Sequence, residues 1–318
     1  MRISVAICTY NGENYLSGQL DSIVSQTVQP DEVVICDDGS TDKTHSIIEE
    51  FQSRYPSMVK FFHNTTNLRV IKNFEKAINL CNGDIIFLSD QDDVWFPYKI
   101  ETVLNHFQKK PQCKALFHDL KLMKEDSELQ QTIWDVLLFK NVFNNISLNS
   151  KFVEYLLKYN NVVTGAALAF KKEVKNDILP LDSGLIHDYQ IAIKLAIKNS
   201  ISAIPETLGY YRLHKGQQIG IDNNKVDINK KESILEFFTG ITDWYIELQF
   251  LSIALNRAEN YESFIPGLSK YVYILKNNSK EAKKNFFKKT PFFKKKRILL
   301  RWYKYKILNT TIKDILLK

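Results

Sequence analysis

From Ile3 to Leu122, short apolar runs alternate with stretches of helical periodicity, and this alternation limits the possible folds more than any other feature of the chain. Ile3–Cys8, Glu32–Cys36, Val59–His63, Ile85–Leu88 and Ala115–Leu122 read as strands. Between them Tyr15–Ser25 and Ile71–Leu80 read as helices. Ser40 or Asp42 can cap another helix that runs to Tyr55 with Ile47, Ile48 and Phe51 at helical spacing. Pro97 opens a further one through Phe107. Such alternation predicts an α/β protein with parallel strands and crossover helices. In sheets of that kind, ligands bind outside the carboxyl ends of the strands.

Three polar clusters fall just past such ends: Thr9–Glu13 (TYNGE), Asp37–Asp42 (DDGSTD) and Ser89–Asp93 (SDQDD). The fold predicted above gathers them along one edge. The last cluster packs Asp90, Asp92 and Asp93 into four residues. Like charges so close repel one another and are costly to desolvate unless a cation sits among them. Hard dications such as Mg²⁺ or Mn²⁺ take oxygen ligands, commonly one or two carboxylates plus the phosphates of a substrate. An isolated D-x-D is more often a solvated acidic turn. The three clusters together carry the reading of a metal held for a phosphate-bearing ligand.

A chain of 318 residues can form one large domain, or one domain with an appendage. No apolar run reaches the roughly 18–20 residues that span a bilayer. The apolar start before Thr9 is too short for a signal-peptide core and reads as a buried first strand. Cys8, Cys36, Cys81 and Cys113 lack zinc or redox spacing and read as reduced packing residues, which favours a cytoplasmic location. The net charge of +7 is concentrated at the end: 13 Lys or Arg follow from Lys283 onward against the single acid Asp314, interleaved with Phe286, Phe287, Phe292, Phe293, Trp302 and Tyr303. The rest of the chain is slightly acidic. In the second half, Lys151–Tyr159 and Asp188–Asn199 look helical, and Ala166–Phe170 and Leu208–Tyr211 look like strands. Lys225–Asn278 reads as helical, with Trp244, Leu248, Leu251 and Leu255 on one core-facing stripe.

Seven blocks in order, SVAICTYNGENYL, QTVQPDEVVICDDGSTDKT, NLRVIKNFEKAI, NGDIIFLSDQDDVWFPYKI, VVTGAALAFKK, IHDYQIAI and YYRLHKGQQIG, resemble the family 2 glycosyltransferases with a GT-A fold, in particular their rhamnosyltransferase-like branch. The resemblance covers roughly residues 1–220. It implies a Rossmann-like, mixed but mostly parallel sheet flanked by helices over residues 1–222, followed by a helical extension with a basic aromatic tail over 223–318. It also assigns site residues. Thr9, Tyr10, Asn11 and Glu13 match the loop around the nucleotide base and ribose. Asp38 matches the carboxylate that accepts from the N3–H of uracil or thymine, with Asp37 beside it. Lys72 falls where the family has a basic residue near the nucleotide, although Arg69 stands where the family commonly has Gly. Asp90 and Asp92 match the D-x-D pair, Asp92 as direct ligand of Mn²⁺ or Mg²⁺ and Asp90, with Gln91, nearer the ribose. Asp93 is either a support behind the metal or a solvated acid. Asp188 matches the general base at the head of a helix, where N-capping is its plainer role. Gly165 opens the segment that lines the acceptor pocket in relatives, and His187 is a packing or acceptor-contact residue rather than a base. His214 occupies a position that approaches the metal or diphosphate in some relatives, and Arg212 is a candidate partner for phosphate; a lone His near a strand end is more commonly structural.

The implied chemistry is single-displacement, inverting transfer of a sugar from a nucleoside-diphosphate donor, dTDP-L-rhamnose or a UDP-sugar, to a glycan or polyprenyl-linked glycan in cell-surface polysaccharide synthesis. The basic aromatic tail suits peripheral contact with the inner face of the cell membrane; the alternative is a solvated basic helix packed on the core. Nucleic-acid binding would explain the tail but not carboxylates at strand ends, which repel a phosphate backbone. A metal-dependent phosphohydrolase leaves Asp38 and Asp188 without a role. A catalytically silent binding module has no feature in its favour.

Overall fold

The computed structural model describes residues 1–137, 139–140, 150–159, 161–217 and 244–289. These fall into two compact units, one within Met1–Ser150 and Asn161–Val226, the other within Lys151–Asn160 and Asp227–Lys318. The basic stretch from 290 to the end and the helical pattern expected over 225–243 lie outside the described residues. Among the described residues no helix is long and apolar enough to cross a membrane.

The first unit is built on nine strands: β1 (Ile3–Thr9), β2 (Glu32–Asp37), β3 (Val59–His63), β4 (Ile85–Ser89), β5 (Val94–Trp95), β6 (Ala115–Lys124), β7 (Ser127–Thr132), β8 (Leu168–Lys171) and β9 (Ile201–Leu213). They form one sheet in the order β3-β2-β1-β4-β8-β6-β9-β5, with β7 paired to β6. Every residue of β2 and of β4 is buried. Strands covered on both faces read as unbroken apolar runs, which is how these appear in the sequence. On one face Val5, Ile7, Val33, Ile35, Ile85 and Phe87 pack with Leu16, Leu20 and Ile23 of α1 (Leu16–Val24), Ile48 and Phe51 of α2 (Thr44–Arg54), and Ile100, Val103 and Phe107 of α4 (Lys99–Lys109). The amphipathic helix α3 (Arg69–Leu80) packs against β1 and β2, burying Phe74, Ala77 and Ile78. Full burial of one such side chain stabilises the fold by about 1.5–3 kcal/mol.

Register sets the edge. β1, β2, β3 and β4 are mutually parallel, and Thr9 lies level with Asp37, Asp37 with His63, and Ile7 with Ser89. The three polar clusters therefore leave the sheet side by side. β8 runs antiparallel to β4, with Ile85 opposite Lys171 and Phe87 opposite Ala169. A reversed strand delivers its beginning where its parallel neighbours deliver their ends. The turn Gly165–Ala167 thus opens onto the same edge. β6 and β9 are parallel, and their register slips between His118 and Asp119, next to Pro205 in β9, as expected for a residue that cannot donate to the ladder.

After β7 come α5 (Ile133–Val136), capped by reciprocal bonds between Thr132 and Asp135, and α6 (Ser150–Lys158). Between β8 and β9 lie α7 (Lys175–Ile178) and α8 (His187–Ile197), the latter buried along most of its length. In the second unit α9 (Trp244–Tyr261) packs on α10 (Ser269–Lys289), and Leu251, Ala254 and Ala258 of the one and Tyr271, Val272 and Leu275 of the other are buried. Arg257 of α9 donates to the Leu157 carbonyl of α6 at 3.0 Å.

Candidate functional site

The loops at the carboxyl edge are braced by one another. Thr9 Oγ1 donates to Asp37 at 2.8 Å, and Asn11 N to Ser40 Oγ at 2.9 Å. Thr41 N donates to Asn11 Oδ1 at 2.9 Å, and Lys43 N to Glu13 at 3.1 Å. Gly12 N donates to Thr44 Oγ1 at 2.7 Å. Gln91 bonds both backbone groups of Tyr10, accepting from its N–H at 2.8 Å and donating to its carbonyl at 3.1 Å. Any Cβ at Gly12 would collide with that Gln91 amide, so the glycine lets the first and third clusters close on each other.

Asp37 and Asp38 have different duties. Asp37 is fully buried and accepts from Thr9 and Ser40. Asp38 Oδ1 accepts from Asn64 Nδ2 at 2.8 Å and Leu68 N at 2.7 Å, and its Oδ2 accepts from Arg69 N at 2.8 Å. A carboxylate offers about four acceptor positions, so one remains on Oδ2. Arg69 meets this bond with φ of +63°, the left-handed backbone for which glycine is suited. The loop thus keeps the glycine conformation without the glycine. Lys72 donates to Glu75 at 2.9 Å and to the Leu181 carbonyl at 2.6 Å.

The third cluster meets the end of β9. Asp92 Oδ2 lies 2.8 Å from His214 Nε2. Gly216 N donates to His214 Nδ1 at 3.2 Å, which leaves Nε2 as the proton-bearing nitrogen that donates to Asp92. The His214 ring lies against Tyr15, with 4.6 Å between centroids, and the Arg212 guanidinium sits 4.7 Å from the centre of the Tyr15 ring. Arg212 is buried and donates to the Asp92 and Glu125 carbonyls and to the Asp126 carboxylate, so its guanidinium braces the loop from behind. Asp93 is buried and accepts from Arg212 N at 3.1 Å, and its Oδ2 has no partner among the described residues.

Electrostatics link these groups to Asp188, in the first turn of α8. Its Oδ1 accepts from Asn161 Nδ2 and its Oδ2 from Gly165 N, each at 3.0 Å. Burial pushes its carboxyl up to about 7, against the pull of those hydrogen bonds. Asp90 is raised first by burial, then by the charges of Asp92 and Asp188; Asp93 is raised by burial, Asp92 and Asp90. The Tyr211 phenol is pushed up by burial and by Asp93, Asp90, Asp92 and Asp188 together. Cys8, on β1, is raised by burial, then by Cys36, Asp90 and Asp38. Asp90, Asp92, Asp93 and Asp188 therefore act within one electrostatic neighbourhood. His187 is buried and stacks on Phe74 with 4.0 Å between centroids; neither ring nitrogen has a partner among the described residues. Burial holds its imidazole down to about 3, so it is neutral. A Cβ on Gly165 would stand 2.8 Å from His187 Nε2.

A dication fits this set. Asp93 Oδ2 has no partner among the described residues, Asp90 and Asp93 are pushed up by burial and then by neighbouring carboxylates, and Asp92 and His214 lie side by side. Among the described residues no three His, Cys, Asp or Glu side chains surround one point. Mg²⁺ and Mn²⁺ need no such cage when phosphates and water complete the shell. Asn161, Tyr15, Tyr211 and Lys99 also belong to the site and escaped the sequence reading. Only Lys99 carried a signal, sharing a helical stripe with Val103 and Phe107.

Residues 4–173 match the family model "Glycosyl transferase family 2". An uncharacterized protein of Mycobacterium tuberculosis is 28% identical over 218 residues, 67% of this chain; the chain spans 59% of that relative's length. An uncharacterized glycosyltransferase of Haemophilus influenzae is 25% identical over 72% of this chain and 71% of its own. The dTDP-rhamnosyl transferase RfbG of Shigella flexneri is 40% identical over 103 residues, 31% of this chain and 36% of its own. In three dimensions the chain is similar to S. aureus TarS 1-349 in complex with UDP-GlcNAc, with a TM-score of 0.56 at 19% identity, over 98% of this chain and 89% of that one. That likeness concerns the fold, the mixed α/β architecture of GT-A glycosyltransferases. With the family model spanning more than half of its length, the chain belongs to glycosyltransferase family 2.

Proposed function

We propose that the chain moves a sugar from a nucleoside-diphosphate donor to a hydroxyl of a glycan or lipid-linked glycan, with inversion, in the synthesis of a cell-surface polysaccharide. One observation supports this reading above the rest: the turn Gly165–Ala167, whose leading N–H donates to the enclosed Asp188 carboxylate at 3.0 Å, opens onto the sheet edge where the three polar clusters end. The loop of Thr9, Tyr10, Asn11 and Glu13, with Asp37, Asp38, Lys72, Asp90 and Gln91, forms the donor side. Asp38 retains one acceptor position for the N3–H of thymine or uracil. Asp92, with His214 beside it, would hold Mg²⁺ or Mn²⁺, which when bound neutralises charge on the diphosphate.

Asp188 takes the proton of the acceptor hydroxyl through a carboxylate oxygen. The hydroxyl oxygen forms the new bond to the anomeric carbon while the bond to the diphosphate oxygen breaks. One base and one displacement give inversion. A carboxyl near 7 is suited to this task, since a base works best when its pKa lies near the operating pH. Gly165 and His187 lie on the acceptor side of Asp188.

The likeness to RfbG supports dTDP-L-rhamnose as donor ahead of a UDP-sugar. The basic aromatic tail supports peripheral attachment to the inner face of the cell membrane, where a polyprenyl-linked acceptor would be found. A donor panel incubated with Mn²⁺ or Mg²⁺, read by release of nucleoside diphosphate and by NMR of the product anomer, tests the reading. Turnover of dTDP-L-rhamnose with an inverted product is expected. Retention of configuration, or no turnover of any nucleotide sugar with acceptor glycans present, would overturn it.

A further inference from the structure

Lys99, the first residue of α4, is only 1% exposed and is one of the largest fully buried side chains. A lysine is rarely enclosed to this degree without a partner that needs its charge. Its Nζ donates to the Ala166 carbonyl at 2.6 Å and lies 3.9 Å from the centre of the Trp95 ring. Burial pulls its amine down to about 7, and the charges of Asp93 and Asp90 oppose that shift. Ala166 belongs to the turn Gly165–Ala167, and the first N–H of that turn is a hydrogen-bond donor to Asp188. One amino group thus packs on the Trp95 ring, just past the acidic cluster, and grips the middle of a three-residue turn whose leading amide orients the expected base.

We propose that Lys99 is a positioning residue that ties Trp95, on the strand directly after the acidic cluster, to the turn holding Asp188, so that donor-side and base-side groups keep one spacing. The proposal rests on the reading of Asp188 as the base. Lys99 touches no substrate. It sets where the Gly165 N–H points.

The test compares the full-length parent with Lys99→Met and Lys99→Arg. Three readouts are taken: hydrogen–deuterium exchange over residues 161–168, calorimetric binding of dTDP and UDP with Mn²⁺, and kcat and KM for turnover of dTDP-L-rhamnose and UDP-sugars. Lys99→Met is expected to speed exchange in 161–168 at least tenfold while β1 and β4 keep their protection. Its kcat should fall at least thirtyfold, with nucleotide Kd and donor KM within threefold of the parent. Unchanged exchange in 161–168 and unchanged kcat would overturn the proposal. Should Lys99→Met fail to fold, Lys99→Arg keeps the charge but cannot place a single nitrogen at the Nζ position. A kcat at least fivefold below the parent with unchanged KM then supports the proposal, and parental kcat overturns it. If the parent itself neither binds nucleotide nor turns over donor, the glycosyl-transfer reading fails alone, and the exchange comparison still decides whether Lys99 holds the turn.

Discussion

Replacing Asn161 by Ala should move the pH dependence of turnover without abolishing it. Asn161 Nδ2 donates to Asp188 Oδ1 at 3.0 Å, and Gly165 N serves the other oxygen. Both bonds favour the ionised carboxylate, whereas burial pushes the carboxyl up to about 7. A hydrogen bond to a charged group contributes about 1.5–3 kcal/mol. At about 1.4 kcal/mol per pKa unit, its loss would raise the carboxyl by about one to two units, and water taking the vacated place favours the lower figure. The acidic limb of kcat/KM against pH should therefore shift from about 7 to about 8, with the alkaline plateau retained. At pH 7 the ionised fraction drops from about half to about a tenth, so activity falls about fivefold. Asp188→Asn should instead lose about 10²–10⁴ in rate at every pH, since an amide cannot take the proton. Steady-state rates of nucleoside diphosphate release between pH 5.5 and 9.5 give both curves. An Asn161→Ala midpoint that coincides with the parent's, or an Asp188→Asn variant with near-parental turnover, would refute Asp188 as the base.

Three further outcomes are expected. Asp92→Ala should abolish Mn²⁺-dependent nucleotide binding in calorimetry, while His214→Ala, which removes the group holding Asp92, should weaken it by about 10–100-fold; unchanged affinity in the first would remove Asp92 from the metal site. His187→Phe keeps the stack on Phe74 and removes two buried, unpartnered nitrogens. It should stabilise the fold by about 1–3 kcal/mol, a rise in Tm of about 2–4 °C per kcal/mol, and raise the acceptor KM; a lower Tm would show that the ring has a partner not accounted for. At Arg69, whose φ is +63°, Gly should be more stable than Ala by about 1 kcal/mol in urea unfolding. Equal stabilities would mean that the Asp38 bond does not hold Arg69 in the left-handed region.

The edge itself was legible because fully buried parallel strands leave an unmistakable apolar trace, and the polar clusters behind β1, β2 and β4 follow from it. Direction was not legible. The run at Ala166–Phe170 looks the same whether it pairs parallel or antiparallel, yet only reversal brings Gly165 to the site. β7, SELQQT, is largely exposed and carries no apolar signal, and the two residues of β5 are too few to show one. Pro205 hid the first part of β9, since a proline usually argues against a strand except at a bulge like this one. Within the site, sequence identified which loops meet, but not which polar groups they use on each other. Asn11, Glu13, Asp37 and Gln91 all hold neighbouring loops, and Asp38 organises the approach to α3 before any ligand arrives. Asn161 could not be foreseen because its contact with Asp188 depends on a turn that has no periodicity.

The reversal of β8 has a consequence for how such a protein can diversify. Apart from His214, everything that would grip the nucleotide comes from the stretch ending at Trp95, whereas the proposed base and its supporting amide arrive later, on a segment that enters the cleft from the opposite sense. The two halves of the reaction are thus written in separate paragraphs of the sequence, and a new acceptor can be accommodated by redrafting the second while the first is left as it stands.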